Sequence, residues 1–373
     1  MNKRYFPFMV ALLLTLCACS PKVAGSQVHH EPIMPDNVEQ LTQLVSIGDR
    51  IINNYSADIE FSPDGQFIIT LGHLIWEPGD SNRADVVVWE AETGIEQARQ
   101  SLEIRILNAV AFHPNQPIVA LGGENSAVYL WDYHSGETVL VTGGIPWSPG
   151  GSMTFADGSV VERVPVTSLA FSRNGTILAV GYCEGWGHST LELYAISRGA
   201  QQENFEPYWA HIIQRGGWLD LAFIPDDMLL TGSHDNSVYL WDPITGELLD
   251  QHQLFTGDKL ITDMAYSQDG KLLITTIWDQ TNGDQTSFWD TETFENVDLL
   301  NHLGGLKALN LDASMMAVAG ENEVSLWDIA TKTQLTTIEV SGKVSAITFS
   351  PDGALLAFAN PGGKIHLWGI PQE

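Results

Sequence analysis

Short runs of alternating apolar and polar residues recur along almost the whole chain, and most are followed by a turn and a more apolar run. Near the C-terminus the alternating run Val344–Phe349 precedes Ser350–Gly353, which is Ser-Pro-Asp-Gly, and the apolar run Leu355–Ala359 follows. Proline presets the second turn position, aspartate tolerates the third, and glycine adopts the left-handed conformation that closes a hairpin. The pattern therefore predicts a strand, a tight turn and a second strand.

The same pattern occurs seven times along the chain. Six copies begin at an aromatic residue and a seventh, with a shorter turn, is recognised by its flanks: Phe61, Phe112, Phe171, Phe223, Tyr266, Phe349 and, for the short copy, Leu311. Each copy is followed by a third strand with an aromatic landmark, in several cases with aspartate after it: Trp89, Trp131–Asp132, Tyr194, Trp241–Asp242, Trp289–Asp290, Trp327–Asp328 and Trp368. A weaker fourth strand follows most of them. Four strands in each unit of roughly forty to sixty residues are typical of propeller blades.

These units resemble WD repeats, and the resemblance covers about Leu41 to Trp368. It implies an all-β, seven-bladed propeller of four-stranded antiparallel blades, in which the aromatic landmarks and the aspartates after them are structural residues. The sequence departs from the family in lacking the Gly-His dipeptide that begins many repeats. The family's b–c turn aspartate is best matched by Asp235. We therefore do not expect this chain to form the family's complete polar network of histidine, aspartate and tryptophan.

The two ends of the repeat region complement each other. The last unit stops after its third strand, and an unpaired candidate strand, Leu41–Ile47, precedes the first unit. Pairing this strand with the last unit would close the ring and remove two exposed sheet edges. We therefore expect a propeller domain over residues 39–373 that is closed by its N-terminal strand.

The N-terminus has the pattern of an export signal. Lys3 and Arg4 precede an apolar stretch, Phe6–Leu16, that is too short to span a bilayer as a mature helix. The following Leu-Cys-Ala-Cys resembles the lipobox of bacterial lipoproteins, which implies lipidation of Cys19 after cleavage. Residues 1–18 would then be the signal peptide, and the protein would be exported and lipid-anchored to a bacterial membrane in the cell envelope. An ordinary signal peptide with incidental cysteines is the alternative.

Residues 19–38 are predicted to be a flexible tether, because Ser20–Asn37 is rich in proline and small or polar residues and has no apolar period. With Cys17 removed and Cys19 acylated, Cys183 would be the only thiol, so an internal disulfide is not expected. The stability of the domain must then come from its hydrophobic core.

Composition narrows the choice of partner. The chain has 373 residues, a hydrophobic fraction of 44% and a formal net charge of −29. Such an excess of acidic groups argues against nucleic acid as a partner, because phosphates require an excess of Lys and Arg. It favours a cationic protein partner, although solubility alone could also explain the charge.

The placement of tryptophan is the main functional signal. By the WD resemblance, b–c and d–a connections emerge on one face of the disc and a–b and c–d turns on the other. Tryptophans outside the landmark positions fall in or beside the former connections, and exposed tryptophan is typical of binding hot spots. We assign five of them to partner binding and a sixth, Trp218, to the core: the five are Trp76, Trp147, Trp186, Trp209 and Trp278. The stretch 143–165 is expected to add a small hairpin.

The sequence signals for a metal site or for catalysis are weaker than the tryptophan signal. Asp58, Asp220 and Asp263 each lie three residues before a strand-a aromatic, where they could hold a cation at the central channel or bond a backbone N–H. We favour the second interpretation and predict neither metal nor cofactor. The sequence lacks the nucleophile-elbow, zincin and phosphate-loop motifs, so we predict no enzyme activity.

The sequence thus favours a monomeric, non-catalytic scaffold that contacts the membrane only through its lipid. A hydrolase or lyase acting on an envelope carbohydrate is one alternative, since clustered aromatics stack on sugars and paired acids could act as acid and base. A sensor of a cation or small molecule at the channel mouth is another.

Overall fold

Seven four-stranded antiparallel sheets follow one another along the chain and form the blades of a β-propeller, as predicted. The structure, a computed structural model, describes residues 30–48, 59–73, 83–104, 106–124, 126–142, 152–154, 160–162, 165–183, 188–197, 199–202, 205–214, 219–233, 235–256, 259–267, 270–279, 283–301, 305–360 and 364–371. In each blade the strands are called a to d, starting from the innermost strand. Neighbouring a strands contact one another and line the central channel.

The strand bounds follow the sequence pattern closely. The ring-closing strand is β1 (Thr42–Ile47). Blade 1 consists of β2 (Ile59–Phe61), β3 (Phe67–His73), β4 (Ala84–Glu90) and β5 (Glu96–Leu102). Blade 2 consists of β6 (Leu107–Phe112), β7 (Ile118–Gly123), β8 (Val128–Asp132) and β9 (Thr138–Thr142). The predicted extra hairpin follows as β10 (Ser152–Thr154) and β11 (Val160–Glu162).

The remaining blades have the same order. Blade 3 consists of β12 (Val166–Phe171), β13 (Ile177–Cys183), β14 (His188–Ala195) and β15 (Pro207–Gln214). Blade 4 consists of β16 (Leu219–Phe223), β17 (Leu229–Ser233), β18 (Ser237–Trp241) and β19 (Leu248–Gln253). Blade 5 consists of β20 (Lys259–Tyr266), β21 (Leu272–Asp279), β22 (Gln285–Asp290) and β23 (Asn296–Asn301). Blade 6 consists of β24 (Lys307–Leu309), β25 (Met315–Ala319), β26 (Glu323–Asp328) and β27 (Thr333–Glu339). Blade 7 consists of β28 (Ala346–Phe349), β29 (Leu355–Ala359) and β30 (Ile365–Gly369), with β1 as its outer strand. Short 3-10 helices span Val38–Gln40, Gly199–Gln201 and Pro225–Asp227.

The recurring Ser-Pro-Asp-Gly phrase forms the a–b turn. In blade 1 the Ser62 hydroxyl donates to Asp64 Oδ1 at 2.6 Å and accepts the Phe67 N–H at 2.9 Å. Gly65 has a φ of +70°, the left-handed region that the turn requires. The same bonds form around Ser350 in blade 7. We call the side of the disc that contains the a–b and c–d turns the turn face, and the opposite side the loop face.

The predicted ring closure is confirmed. Strand β1 pairs antiparallel with β30, from Thr42 opposite Gly369 to Ile47 opposite Ile365. Side chains of β1 and of blade 1 share one apolar cluster with the strands of blade 7. The edges that an open ring would expose are therefore covered.

The segment before β1 differs from the expected tether. Ile33 is 0% exposed, its N–H donates to the Gly353 carbonyl at 2.9 Å, and its own carbonyl accepts from Asn310 Nδ2 at 3.2 Å. Residues 30–38 thus pack on the turn face of blades 6 and 7, so the tether boundary predicted at residue 38 lies too far along the chain. The two buried residues of this segment, Ile33 and Val38, are five positions apart and produce no periodic signal. Cys19 and the expected signal peptide lie outside the described residues.

The landmark aromatics are structural, and a threonine on strand b replaces part of the family's polar network. The indole N–H of Trp89 donates to Thr70 at 3.0 Å, that of Trp241 to Thr231 at 3.1 Å, and that of Trp289 to Thr275 at 2.9 Å. Blade 3 differs because its landmark is Tyr194, whose hydroxyl donates to the buried Glu192 at 2.6 Å. Trp327 bonds Ser325 at 2.9 Å, whereas Trp131 and Trp368 find no acceptor within the described ranges.

The aspartates after the landmarks hold the c–d turns. Asp242 Oδ1 accepts the N–H groups of Ile244 at 2.8 Å and Thr245 at 3.2 Å, and Asp132 and Asp290 bond their own turns in the same way. Asp328 accepts the Thr331 N–H at 2.6 Å. These backbone bonds lower the pKa of Asp242, Asp290 and Asp328, because they favour the carboxylate form.

Candidate functional site on the loop face

Two of the five tryptophans assigned to partner binding lie in the described residues. They are Trp209 and Trp278, and they occupy different environments. Trp76, Trp147 and Trp186 lie outside the described residues, as does Trp218.

Trp278 lies on the loop face with its side chain 43% exposed. It is the last residue but one of β21, and it pairs with Leu260 at the start of β20. Strand β21 has eight residues, whereas the corresponding strand β25 of blade 6 has five. The longer strand extends the sheet at the loop face and places an aromatic side chain there, in contact with solvent.

A buried lysine lies beside the strand that presents Trp278. Side chains alternate along a strand, so Thr276 and Trp278 point to the same face of β21. Thr276 Oγ1 accepts from Lys307 Nζ at 2.5 Å, and the Gly305 carbonyl accepts from the same ammonium at 2.7 Å. Lys307 is only 6% exposed. The exposed indole and the ammonium therefore lie along the same junction between blades 5 and 6.

One of the three candidate aspartates, Asp263, bonds Lys307, and the charge of a second, Asp220, acts on Asp263. Asp263 Oδ2 accepts the backbone N–H of Lys307 at 3.1 Å, which is the backbone bond that one of our two interpretations predicted. Burial raises the pKa of Asp263 to about 7, although the Lys307 charge opposes the rise. Burial also raises the pKa of Asp220 to about 6. Asp58 lies outside the described residues.

Burial also changes the pKa of the Lys307 ammonium. It lowers the pKa of Lys307 to about 8, and the charges of Asp263 and Asp284 oppose the fall. Lys307 and Asp263 thus join blades 5 and 6 through one backbone bond and through opposite charges. Sequence reasoning missed Lys307, because a lone lysine in a strand gives no sign of partners on another blade.

The loop-face connection of blade 4 is fixed to blade 5. Asp235, the best match to the family's b–c aspartate, accepts from Ser237 N at 2.9 Å and from the Tyr239 hydroxyl. The next residue, Asn236, donates through Nδ2 to the Lys259 carbonyl at 2.7 Å. These bonds order the edge of the loop face next to the blade that presents Trp278.

Trp209 does not lie in a loop-face connection, so the position that the sequence predicted for it is wrong. It lies in β15, the d strand of blade 3, and its ring packs against Trp241 of blade 4 with centroids 5.3 Å apart. It also stacks on His211 at 5.7 Å. The connection between β14 and β15 is the c–d connection of blade 3, and Trp209 follows it in strand d. Trp209 is therefore packing between two blades.

The described residues of the loop face offer the exposed indole of Trp278 for contact. Within the described ranges, no three His, Cys, Asp or Glu side chains are grouped in a way that could hold a metal ion. None of the helices in the described part of the chain is long and apolar enough to cross a membrane. The indole of Trp278 can bind an apolar group or a cation.

The comparisons with known proteins agree with this architecture. The family model of the WD domain, G-beta repeat, matches residues 103–132, 210–242 and 332–369. The β-propeller domain of Cps50 (Swd1) from Myceliophteria thermophila has the same fold, with a TM-score of 0.65 and 15% identity over 89% of this chain and 100% of that one. The chain therefore contains WD40 repeats and has a WD-repeat β-propeller fold.

Two curated proteins illustrate the sequence similarity. Echinoderm microtubule-associated protein-like 2 of Homo sapiens is 23% identical over 298 residues, which cover 78% of this chain and 38% of that protein. Nuclear distribution protein PAC1 of Arthroderma otae is 24% identical over 310 residues, which cover 74% of this chain and 62% of that protein. The chain thus matches only part of each relative's length.

Proposed function

We propose that this protein is a lipid-anchored, extracytoplasmic scaffold that binds a protein partner through its loop face and catalyses no reaction. The WD40 repeats and the propeller fold support a role in protein–protein interaction. The lack of nucleophile-elbow, zincin and phosphate-loop motifs in the sequence favours a scaffold over a catalyst.

The exposure of Trp278 is the observation on which the binding role depends. An indole that is 43% exposed on an otherwise ordered strand leaves apolar surface in water. Tryptophan is enriched among residues whose removal abolishes binding. The net charge of −29 favours a cationic partner by long-range attraction.

Membrane attachment through Cys19 is the second part of the proposal. It is supported by the lipobox-like residues 16–19 after an apolar stretch. Fatty-acid labelling of the full chain in a bacterial host tests it. We expect label and membrane fractionation for the wild type and neither for Cys19→Ala. Unlabelled wild-type protein would contradict the anchor.

Co-purification after crosslinking in membranes tests the binding surface. We expect Trp278→Ala to lose the partner that the wild type retains. Ile244→Ala is the matched control, because Ile244 is an apolar residue 77% exposed in a c–d turn on the opposite face. Folding of both variants is checked by their urea midpoints.

The possible results of this experiment distinguish binding at the loop face from binding at the turn face. Loss with Trp278→Ala and retention with Ile244→Ala supports binding at the loop face. Retention with Trp278→Ala would exclude this residue from the binding surface, and loss with Ile244→Ala alone would move the surface to the turn face. The triple variant of Trp76, Trp147 and Trp278 extends the test to the other assigned tryptophans.

A further inference from the structure

The chain enters the propeller from the turn face. The first described residue, His30, has its Nδ1 3.1 Å from the carbonyl oxygen of Ile370, just beyond the turn-face end of β30. Ile33 lies between the a–b turns of blades 6 and 7, bonded to Asn310 of one and Gly353 of the other. The first described residue is therefore held at the turn face.

This entry point is fixed by packing as well as by hydrogen bonds. Ile33 and Val38 are buried in the apolar cluster formed by blades 6 and 7. The chain then runs along β1 from Thr42, opposite Gly369 near the turn face, to Ile47, opposite Ile365 near the loop face. Residues 30–47 thus join the N-terminal segment rigidly to one side of the propeller.

We propose that this fixed exit orients the anchored protein, so that the turn face is directed towards the membrane and the loop face with Trp278 is directed away from it. The inference rests on the proposed lipid anchor at Cys19, and it specifies how the binding surface is presented. It identifies the partner as one that approaches from the aqueous side rather than one embedded in the bilayer.

The length of the intervening segment supports this orientation. Residues 19–29 separate the proposed anchor from His30, and eleven residues reach at most about 40 Å when fully extended. The b and c strands of blades 6 and 7 have five or six residues, which gives these blades a height of about 17–20 Å beside the entry point. A disc with its loop face down would require the segment to cross that height and part of the disc's radius as well. That path takes up more of the available reach than the proposed orientation does, so the segment length favours the turn face towards the membrane.

The charge of the turn face rules out tight adhesion to an anionic bilayer. Basic groups on the described turns are Arg173, Lys271 and Lys332. They are outnumbered by acidic groups on the same turns, which include Asp64, Glu92, Asp132, Asp227, Asp242, Glu247, Asp290, Glu292, Asp312, Asp328 and Asp352. Anionic headgroups repel such a surface within a Debye length, about 8–10 Å at physiological salt. The orientation therefore comes from the tether and leaves a gap beneath the disc.

Energy transfer to the bilayer surface tests the orientation. In the full chain with Cys183→Ser, a donor dye is attached at Glu292→Cys on the turn face or at Glu321→Cys on the loop face, both exposed positions. The purified lipoprotein is reconstituted into phosphatidylcholine vesicles containing a headgroup-labelled acceptor lipid. We expect a higher transfer efficiency from position 292 than from position 321. Equal or reversed efficiencies would overturn the proposal.

Two controls separate this inference from the anchor itself. Insertion of thirty Gly and Ser residues between Val28 and His29 leaves the fold untouched, and we expect it to abolish the difference between the two positions. A difference that survives the insertion would show that tether length does not set the orientation. Failure of the unmodified chain to associate with vesicles would instead overturn the anchor, and the orientation with it.

Discussion

The indole N–H of Trp241 donates to the hydroxyl of Thr231 at 3.1 Å, across two neighbouring strands in the buried layer of blade 4. Both side chains are removed from water. A buried hydrogen-bond donor without an acceptor costs about 1–3 kcal/mol in the free energy of folding. By accepting the indole N–H, Thr231 therefore stabilises the buried position of Trp241. The equivalent pairs in blades 1 and 5 show that the arrangement is systematic.

Thr231→Val should therefore destabilise the domain. Valine has nearly the same shape but leaves the Trp241 N–H without its acceptor, and we expect a loss of about 1–2 kcal/mol in the free energy of unfolding. Urea denaturation measures it. Thr333→Val is the control, because Thr333 is exposed and its change should have little effect. Equal losses in the two variants would mean that the indole bond contributes nothing.

Asp220→Asn should change the pH dependence of stability. The pKa of Asp220 is raised to about 6 by burial, so its contribution is fully present below about pH 4 and is lost as the pH rises through 6. Asparagine carries no charge to desolvate. We expect the variant to be more stable than the wild type at pH 8, by about 1–2 kcal/mol after allowance for screening by the channel, and to lose that advantage at pH 4.

Urea unfolding at the two pH values measures this effect. Asp242→Asn provides a control of opposite sign, since turn N–H groups lower the pKa of Asp242 and favour its charged form. That variant should be less stable than the wild type at both pH 8 and pH 4, because both values lie above the lowered folded pKa of Asp242. An Asp220→Asn variant with no pH-dependent gain would contradict the placement of its carboxyl group.

Ile33→Ala should weaken the attachment of the N-terminal segment. The side chain is fully buried between blades 6 and 7, and truncating a buried isoleucine typically costs about 2–4 kcal/mol. Leu311→Ala is the matched control, because Leu311 lies on a neighbouring turn with 43% of its surface exposed. Urea midpoints of the full-length variants measure both losses, and a larger loss for Leu311→Ala would show that Ile33 does not pack as described.

Local pattern was sufficient to predict the strands and turns of the blades, whereas the resemblance to WD repeats supplied their arrangement in a seven-bladed ring. The Ser-Pro-Asp-Gly turns and the strand-c landmarks act within a few residues of sequence, so their structure follows from turn chemistry and side-chain alternation. The pairing of Leu41–Ile47 with the last blade followed from counting strands. The strands and turns need no knowledge of distant contacts, whereas the ring closure pairs strands from the two ends of the repeat region.

Features that depend on contacts between blades could not be predicted in this way. Trp209 was misplaced because blade 3 has a long c–d connection, and its d strand begins at Pro207, which obscured the strand. Lys307 was missed because its acceptors, Thr276 and Gly305, come from another blade and from a connection. The burial of Ile33 depends on turns more than 270 residues away in sequence.

A pair of glycine substitutions tests the position of Trp209 directly. Gly246 and Gly136 occupy equivalent c–d turns with φ of +71° and +79°, so alanine is strained at both by about 1–2 kcal/mol. At Gly246 an added Cβ would lie 2.0 Å from Trp209 Nε1, whereas at Gly136 it would meet nothing within 4 Å. We therefore expect Gly246→Ala to lose a further 1–3 kcal/mol, roughly the cost of overpacking, in urea denaturation.

A double-mutant cycle identifies the source of that extra loss. In a Trp209→Ala background the clash at residue 246 disappears, so Gly246→Ala should cost no more than Gly136→Ala does in the wild type. Coupling between residues 209 and 246 would place Trp209 in the packing between blades 3 and 4, where it cannot serve a partner on the loop face. Equal losses for the two glycine variants in the wild-type background would instead show that the Trp209 ring lies elsewhere.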